Sequence, residues 1–131
     1  MASVPAVVVD WSSAEPVYAQ IARSIRARIS SGEIASGTPL SPVRTLASDL
    51  GVNLNTVARA YRLLEDEGFV VIRSRSGAEV APPARKSDRE TVDRLQEDLG
   101  TILARMRQAG VAASELRRRA EREIGAIERL E

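Results

Sequence analysis

The stretch 55–62 contains Asn55, Thr56, Arg59 and Arg62, whose side chains can form hydrogen bonds. An α-helix turns by roughly 100° per residue, which places Asn55, Arg59 and Arg62 within about 60° of one another. An Asn side chain can pair with an adenine edge, and an Arg side chain with a guanine edge or a phosphate. Thr56 would lie in the first helical turn, where a phosphate contact is favourable. The spacing therefore predicts a helix face that binds double-stranded DNA.

Short polar residues at the start of a helix also have a structural use. Their side-chain oxygens accept hydrogen bonds from backbone N–H groups that lack a partner there. Asn53 is better placed for such a cap than for DNA, although we keep it among the predicted DNA-binding residues. The opposite side of the same helix carries Val57, Ala60, Tyr61 and Leu64, which suit a core.

A turn and a preceding helix are needed to hold this face in place. Two helices that cross steeply need a small residue at their contact, which Ala47 provides, and a residue that tolerates positive φ in the turn, which Gly51 provides. Val57 can pack back from the second helix. The spacing predicts a helix-turn-helix over about residues 42–66. An ordinary αα-hairpin is the alternative.

A β-hairpin is predicted directly after this motif, over about residues 69–81. Its arms are rich in β-branched residues, and its tip, "RSRSG", carries Arg73 and Arg75. Such a tip can lie along a DNA backbone or enter the minor groove. A plain hairpin with solvated arginines is the alternative.

Composition argues against catalysis and metal binding. The 131 residues include no Cys and no His, which removes disulfides, thiolate nucleophiles, imidazole catalysis and the usual zinc ligands. No Asp or Glu pair stands beside a nucleophile. We therefore expect a protein that is not an enzyme and has no cofactor. Residues 16–86 contain ten Arg or Lys against six Asp or Glu, a bias compatible with a phosphate-facing surface.

The N-terminal part begins with an arm and continues into a helix. "VVVDW" is a short β-branched run for which we expect an edge strand. From Pro16 to Ser31, apolar residues recur every four positions, which predicts an amphipathic helix that ends at Gly32. The chain shows no secretory signal and no stretch of roughly 20 apolar residues, so we expect a cytoplasmic protein that does not enter a membrane.

The C-terminal part is predicted to form two helices with a break near "AGVAAS". Their apolar stripes include Leu95, Leu99, Ile102, Met106, Leu116, Ile124 and Ile127. These helices could complete the core of the same chain. We favour dimerisation, because one small chain has too little surface to cover the apolar stripes of both helices.

The order of these segments resembles the winged helix-turn-helix domain of GntR-type bacterial transcription regulators. The resemblance runs from about residue 15 to 82 and rests on "PVYAQIARSIRARISSGEI", "LSPVRTLASDLGVNLNTVARAYRLLEDEGFV" and the hairpin glycine. The short C-terminal part and the segment "VVVDWSSAEPVYAQI" resemble the YtrA-like subgroup. The resemblance implies a mainly α fold with a small β-wing, and a homodimeric repressor that binds a palindromic operator.

Several site residues follow from the resemblance by position. Arg44 matches a DNA-contacting arginine at the start of the first motif helix, and Gly77 matches the wing glycine. Asn55, Thr56 and Arg59 match contacts on the recognition helix. Ser41 is also among the predicted DNA-binding residues, as the counterpart of a phosphate-contacting serine, although it precedes Pro42 here and the family has the reverse order.

The predicted domains are an N-terminal arm (1–14), a winged helix-turn-helix domain (15–82), a linker (83–87) and a helical dimerisation region (88–131). Two other functions are compatible with a basic winged domain. A DNA-packaging protein would bind with little sequence preference and a steep salt dependence. A protein-interaction adaptor would not need the aligned polar face of residues 55–62. No effector pocket is indicated by the sequence.

Overall fold

The computed structural model describes residues 7–74, 77–82 and 88–128. The chain forms two compact units, one ending at Pro82 and the other comprising the C-terminal helices. The predicted linker 83–87 and the first six residues of the predicted arm lie outside the described residues.

The edge strand expected for "VVVDW" is wrong for the described residues 7–11, which form no strand. Val7 is buried in the core instead. The backbone N–H of Asp10 donates to Oε1 of Gln20 (2.8 Å), and Nε2 of Gln20 donates to the carbonyl oxygen of Asp10 (3.1 Å). The buried side chain of Gln20 thus bonds to the N–H and C=O groups of Asp10, which would otherwise be available to a neighbouring strand.

Helix α1 comprises Val17–Ser30 and supplies the centre of the core. Pro16 precedes its first turn, where the missing N–H of proline costs no helical hydrogen bond. Ile21 and Ile25 are fully buried, as the four-residue repeat predicts. The chain leaves the helix through Gly32, whose φ of 84° is unfavourable for other residues.

Helices α2 (Val43–Leu50) and α3 (Leu54–Asp66) form the predicted helix-turn-helix. Gly51 has a φ of 68° and ends α2 in the left-handed conformation. The N–H of Val52 then bonds back to the carbonyl oxygen of Ala47 (3.0 Å). Ala47 and Val57 are both buried, so the small residue and the apolar residue occupy the expected places in the core.

Strands β1 (Val70–Ile72) and β2 (Ala78–Val80) form an antiparallel hairpin, the predicted wing. In register, Val70 faces Val80 and Ile72 faces Ala78. The loop between α1 and α2 runs along the free edge of β2. There the N–H groups of Gly37 and Leu40 donate to the carbonyl oxygens of Val80 (2.9 Å) and Ala78 (2.8 Å).

One aliphatic core joins the three helices, the loop and the hairpin. Its buried apolar members are Val7, Ile21, Ala22, Ile25, Ile34, Leu40, Leu46, Ala47, Val57, Ala60, Tyr61, Leu64, Val70, Ala78 and Val80.

The second unit consists of α4 (Arg89–Gln108) and α5 (Ala113–Glu128). Asp88 caps α4 by accepting hydrogen bonds from the N–H groups of Glu90 and Thr91. Gly110, with a φ of 101°, marks the predicted break. None of the described residues of α4 or α5 is buried. Within the described parts of the chain, no helix is long and apolar enough to cross a membrane.

Candidate nucleic-acid interface

The outer face of α3 presents the polar residues that the helical spacing predicts. Asn55, Arg59 and Arg62 are exposed, and Thr56 is half-exposed. The inner face of the same helix is fixed by the core, where Leu64 is fully buried. The polar face is therefore held on a rigid element.

The start of α3 is capped by Asn53, as its position predicts. Its side-chain oxygen accepts a hydrogen bond from the N–H of Asn55 (2.7 Å). The N–H of Thr56 donates to the carbonyl oxygen of Asn53 (3.0 Å). The partial positive charge of the helix dipole at this end favours an anion. Asn53 thus orients the helix start from which Asn55 and Thr56 project.

Arg59 makes a contact that sequence reasoning missed. Its guanidinium carbon lies 3.7 Å from the centroid of the Tyr18 ring in α1. This is a close cation–π stack. The two residues are far apart in the sequence, and no periodic pattern connects them, so the chain offers no signal for the pair.

The segment before α2 is tied to α3 by a buried tyrosine. The hydroxyl of Tyr61 donates to the carbonyl oxygen of Ser41 (2.6 Å). Burial raises the pKa of Tyr61 well above its ordinary value, so the hydroxyl remains a donor. The contact fixes the backbone at Ser41, which is half-exposed and lies just before α2. Arg44, which is exposed, follows in the first turn of α2.

The hairpin is also attached to α3 by a contact that the sequence does not signal. The N–H of Ile72 in β1 donates to Oε2 of Glu65 in α3 (2.9 Å). An open cleft of about 210 Å³ lies between the helix and the hairpin, with Arg62 and Gly77 among its lining residues. The carboxylate of Glu65 therefore ties β1 of the wing to α3, the helix that carries the predicted recognition face.

The wing tip is only partly described, because Arg75 lies outside the described residues. The Nε of Arg73 donates to Oε1 of Glu79 (2.5 Å), and the Arg73 side chain is 64% exposed. The N–H of Gly77 donates to Oγ of Ser74 (3.1 Å). A Cβ at position 77 would lie 3.0 Å from that oxygen, so glycine permits this tight turn.

The arginines of α1 differ from those of α2 and α3 in their ion-pair partners. On α1, Arg23, Arg26 and Arg28 each form an ion pair with a glutamate. On α2 and α3, Arg44, Arg59 and Arg62 form no ion pair with any residue that the structure describes. Positive charge is thus paired at these arginines of α1 and at Arg73 of the wing, and is left without an ion pair at Arg44, Arg59 and Arg62.

The predicted dimerisation residues are accessible in the single chain. Leu95, Leu99, Ile102, Ile124 and Ile127 are exposed, and Met106 and Leu116 are half-buried. Five of these residues line an apolar groove of about 450 Å³ between α4 and α5: Leu99, Ile102, Met106, Leu116 and Ile124. The other two, Leu95 and Ile127, lie outside this groove on the same two helices. The alternative, in which these helices complete the core of the same chain, would require buried residues in α4 or α5, and none of those described is buried.

Comparison with known proteins supports the winged-helix interpretation. The model of the family "Bacterial regulatory proteins, gntR family" matches residues 17–80. The chain is 34% identical over 108 residues to the uncharacterized HTH-type transcriptional regulator YhcF of Bacillus subtilis, covering 82% of this chain and 88% of YhcF. It is 29% identical over 109 residues to the HTH-type transcriptional repressor YtrA of Bacillus subtilis, covering 82% and 84%.

Other relatives are much longer than this chain. The probable rhizopine catabolism regulatory protein MocR of Rhizobium meliloti is 39% identical over 89 residues, and the match spans 66% of this chain but only 18% of MocR. Among solved structures, YtrA from Sulfolobus acidocaldarius, a GntR-family transcription factor, is 37% identical with a TM-score of 0.59. That match covers 75% of this chain and 97% of the other.

Proposed function

Because the chain belongs to the gntR family of bacterial regulatory proteins, we propose that it is a transcription repressor that binds a palindromic DNA operator as a homodimer. The observation that carries this proposal is the outer face of α3. There, Asn55, Arg59 and Arg62 project from a rigid helix, and neither arginine forms an ion pair with a described residue.

Each residue of this face has a proposed role that fits its chemistry. Asn55 pairs with an adenine edge, and Arg59 reads a guanine edge. Thr56 contacts a phosphate at the helix start, and Asn53 supports it through the cap. Arg62, one turn further along, contacts a base or the backbone.

The flanking elements contact the DNA backbone. Arg44 and Ser41 approach a phosphate from the start of α2. At the wing, Arg73 exchanges Glu79 for a phosphate, since so exposed an ion pair contributes only about 0–1 kcal/mol. Arg75 and Gly77 complete the wing contact, Arg75 by charge and Gly77 by permitting the turn.

Dimerisation is proposed for α4 and α5 because their apolar stripes are uncovered. An amphipathic helix that buries nothing in its own chain is typical of a subunit interface. A two-fold axis through these helices would place two recognition helices in successive major grooves, so the two half-sites would have the same sequence in opposite orientation.

Repression is proposed from the relatives, since the Bacillus subtilis YtrA is named a repressor. A protein with chromosomal DNA as its partner would act in the cytoplasm. Repression follows from operator occupancy alone and requires no catalytic group.

Selection of bound sites from a random DNA pool tests specificity and symmetry together. We expect a palindromic site that binds at least about 10³-fold tighter than random duplex of equal length at the same salt concentration. The palindrome tests the two-fold assembly, and the affinity ratio tests base recognition. Equal affinity for selected and random duplex would contradict the proposal and indicate a packaging protein, and no binding to either would indicate an adaptor.

A further inference from the structure

The contact between Tyr18 and Arg59 joins the outside of the recognition helix to the first turn of α1. The guanidinium carbon lies over the ring, 3.7 Å from its centroid, which is van der Waals contact. Arg59 itself is exposed, whereas Tyr18 is half-buried and packs against the core. The ring is therefore fixed by the fold, and the arginine rests on it.

A stack of this kind restricts the arginine without using its hydrogen-bonding groups. The N–H donors of a guanidinium lie in its plane and point outward from its edge, while the aromatic ring covers only one face. All five donors thus remain available to an acceptor in the same plane. A carboxylate partner would instead occupy two of them, and Arg59 has no such partner among the residues that the structure describes.

A base edge is the acceptor that benefits most from an oriented guanidinium. The O6 and N7 atoms of guanine accept two hydrogen bonds in the plane of the base, which requires a guanidinium close to that plane. A phosphate accepts hydrogen bonds over a wide range of directions and gains less from orientation. The geometry therefore favours base reading over backbone contact for this arginine.

We propose that Tyr18 is a positioning residue for specificity: its ring orients the Arg59 guanidinium toward a guanine edge in the operator. This inference rests on the proposed function, because it concerns the same DNA-binding face. It adds a residue of α1, outside the helix-turn-helix, to those that determine which sequence is bound.

The test compares base preference rather than overall affinity. The full-length chain and its variants are titrated against the selected operator and against operators that carry each single base-pair change in both half-sites. Arg59→Ala should lose preference at one base pair per half-site by roughly 10- to 100-fold. Tyr18→Leu should lose preference at the same base pair by roughly two- to fivefold and nowhere else. Tyr18→Phe keeps the ring and should restore the preference.

Two further variants separate positioning from general damage. The double variant Tyr18→Leu/Arg59→Ala should discriminate no worse than Arg59→Ala, since the ring acts only through the arginine. Phe69→Leu is the matched control, because Phe69 carries another arginine, Arg26, at 5.9 Å, and that arginine is paired with Glu67. This control should leave base preference unchanged.

Each contrary result has a distinct meaning. Unchanged preference in Tyr18→Leu, or an equal loss of affinity for every sequence, would overturn the inference while leaving specific binding intact. A loss in Tyr18→Phe as large as in Tyr18→Leu would overturn it too, because the hydroxyl would then be the contacting group. If the unaltered chain preferred no sequence, the proposed function would fail, and the inference with it.

Discussion

The two units of the chain use similar aliphatic side chains in opposite ways. In the first unit, Ile21, Ile25 and Leu64 are fully buried and charged groups face outward. In the second, Leu95 is 59% exposed and Ile102 50%, and no described residue is buried. The first unit therefore has an interior of its own and presents charge, while the second presents apolar surface. The difference supports the proposal that the second unit pairs with a second copy of the chain, whereas the first unit buries its apolar side chains within itself.

Removing the second unit gives the largest expected effect on DNA binding. A shortened chain that ends near Ala84 should fold, run as a monomer and lose about 10²- to 10⁴-fold in operator affinity, because its two binding domains are no longer tethered. Light scattering gives the mass, and titration of the selected operator gives the affinity. A shortened chain that still dimerises, or a full-length chain that is monomeric at micromolar concentration, would place the interface elsewhere.

Leucine truncations test the contrast in burial directly. Leu64→Ala should lower the free energy of unfolding of the first unit by about 2–5 kcal/mol, because it leaves a cavity in a closed core. Urea denaturation followed by circular dichroism measures the change. Leu99→Ala, at a site that is 46% exposed, should leave this unfolding transition in place and weaken dimerisation in sedimentation experiments. Equal destabilisation of the first unit by both variants would contradict the division of roles.

Arginine substitutions test whether DNA binding is confined to the first unit. Arg44→Ala should weaken binding to all sequences alike and reduce the slope of log affinity against log salt by about 1, as expected for one phosphate contact. Arg119→Ala is the matched control in the second unit, where Arg119 pairs with Glu115 at 3.0 Å. The control should leave the slope unchanged. An equal reduction by both variants would show a second DNA-binding surface on α5.

The two helix caps should differ in their response to pH. The Asn53 cap cannot titrate, and Asn53→Ala should cost about 1 kcal/mol of stability at any pH. Asp88 has a pKa below its ordinary value of 3.8, first because Thr91 donates a side-chain hydrogen bond to it. The stability that the Asp88 cap gives to α4 is therefore complete above pH 3.8, and it is lost as the pH falls through the lowered pKa.

Helix content measured from pH 6 to pH 2 in the full chain and in Asp88→Asn tests this difference. The unaltered chain should lose helix content in acid, and Asp88→Asn should lose less. An equal loss of helix content in the unaltered chain and in Asp88→Asn would show that other carboxylates cause the acid sensitivity. One such group is Glu115, whose pKa is lowered by a hydrogen bond from Arg118.

The helix-turn-helix, the wing and the break between α4 and α5 follow from local signals in the sequence. Gly51 and Gly110 adopt positive φ where the turns require it, and the stripe of α1 is buried as its period predicts. Periodicity works here because it reflects a single helix facing a single core. The predicted edge strand failed because the side chain of Gln20 took the backbone groups of Asp10.

The contacts that shape the candidate site could not be predicted in this way. Tyr18 meets Arg59, and Glu65 meets Ile72, across element boundaries that only the folded chain brings together. Neither pair has a recurring spacing, and each depends on the angle at which two elements cross. The residue types of the site were therefore accessible from the sequence, but their orientation was not.

The two-stranded wing has one further consequence, for how neighbouring molecules behave when crowded together. An open strand edge can pair with a strand of another chain and start aggregation. Here the outer edge of β2 is occupied by the N–H groups of Gly37 and Leu40, with Pro39 between them, and the N–H of Ile72 on β1 is taken by Glu65. Proline offers no N–H to an incoming strand. The edge of β2 is thus covered, and one donor on the edge of β1 is already taken, which should disfavour edge-to-edge pairing between wings of adjacent molecules.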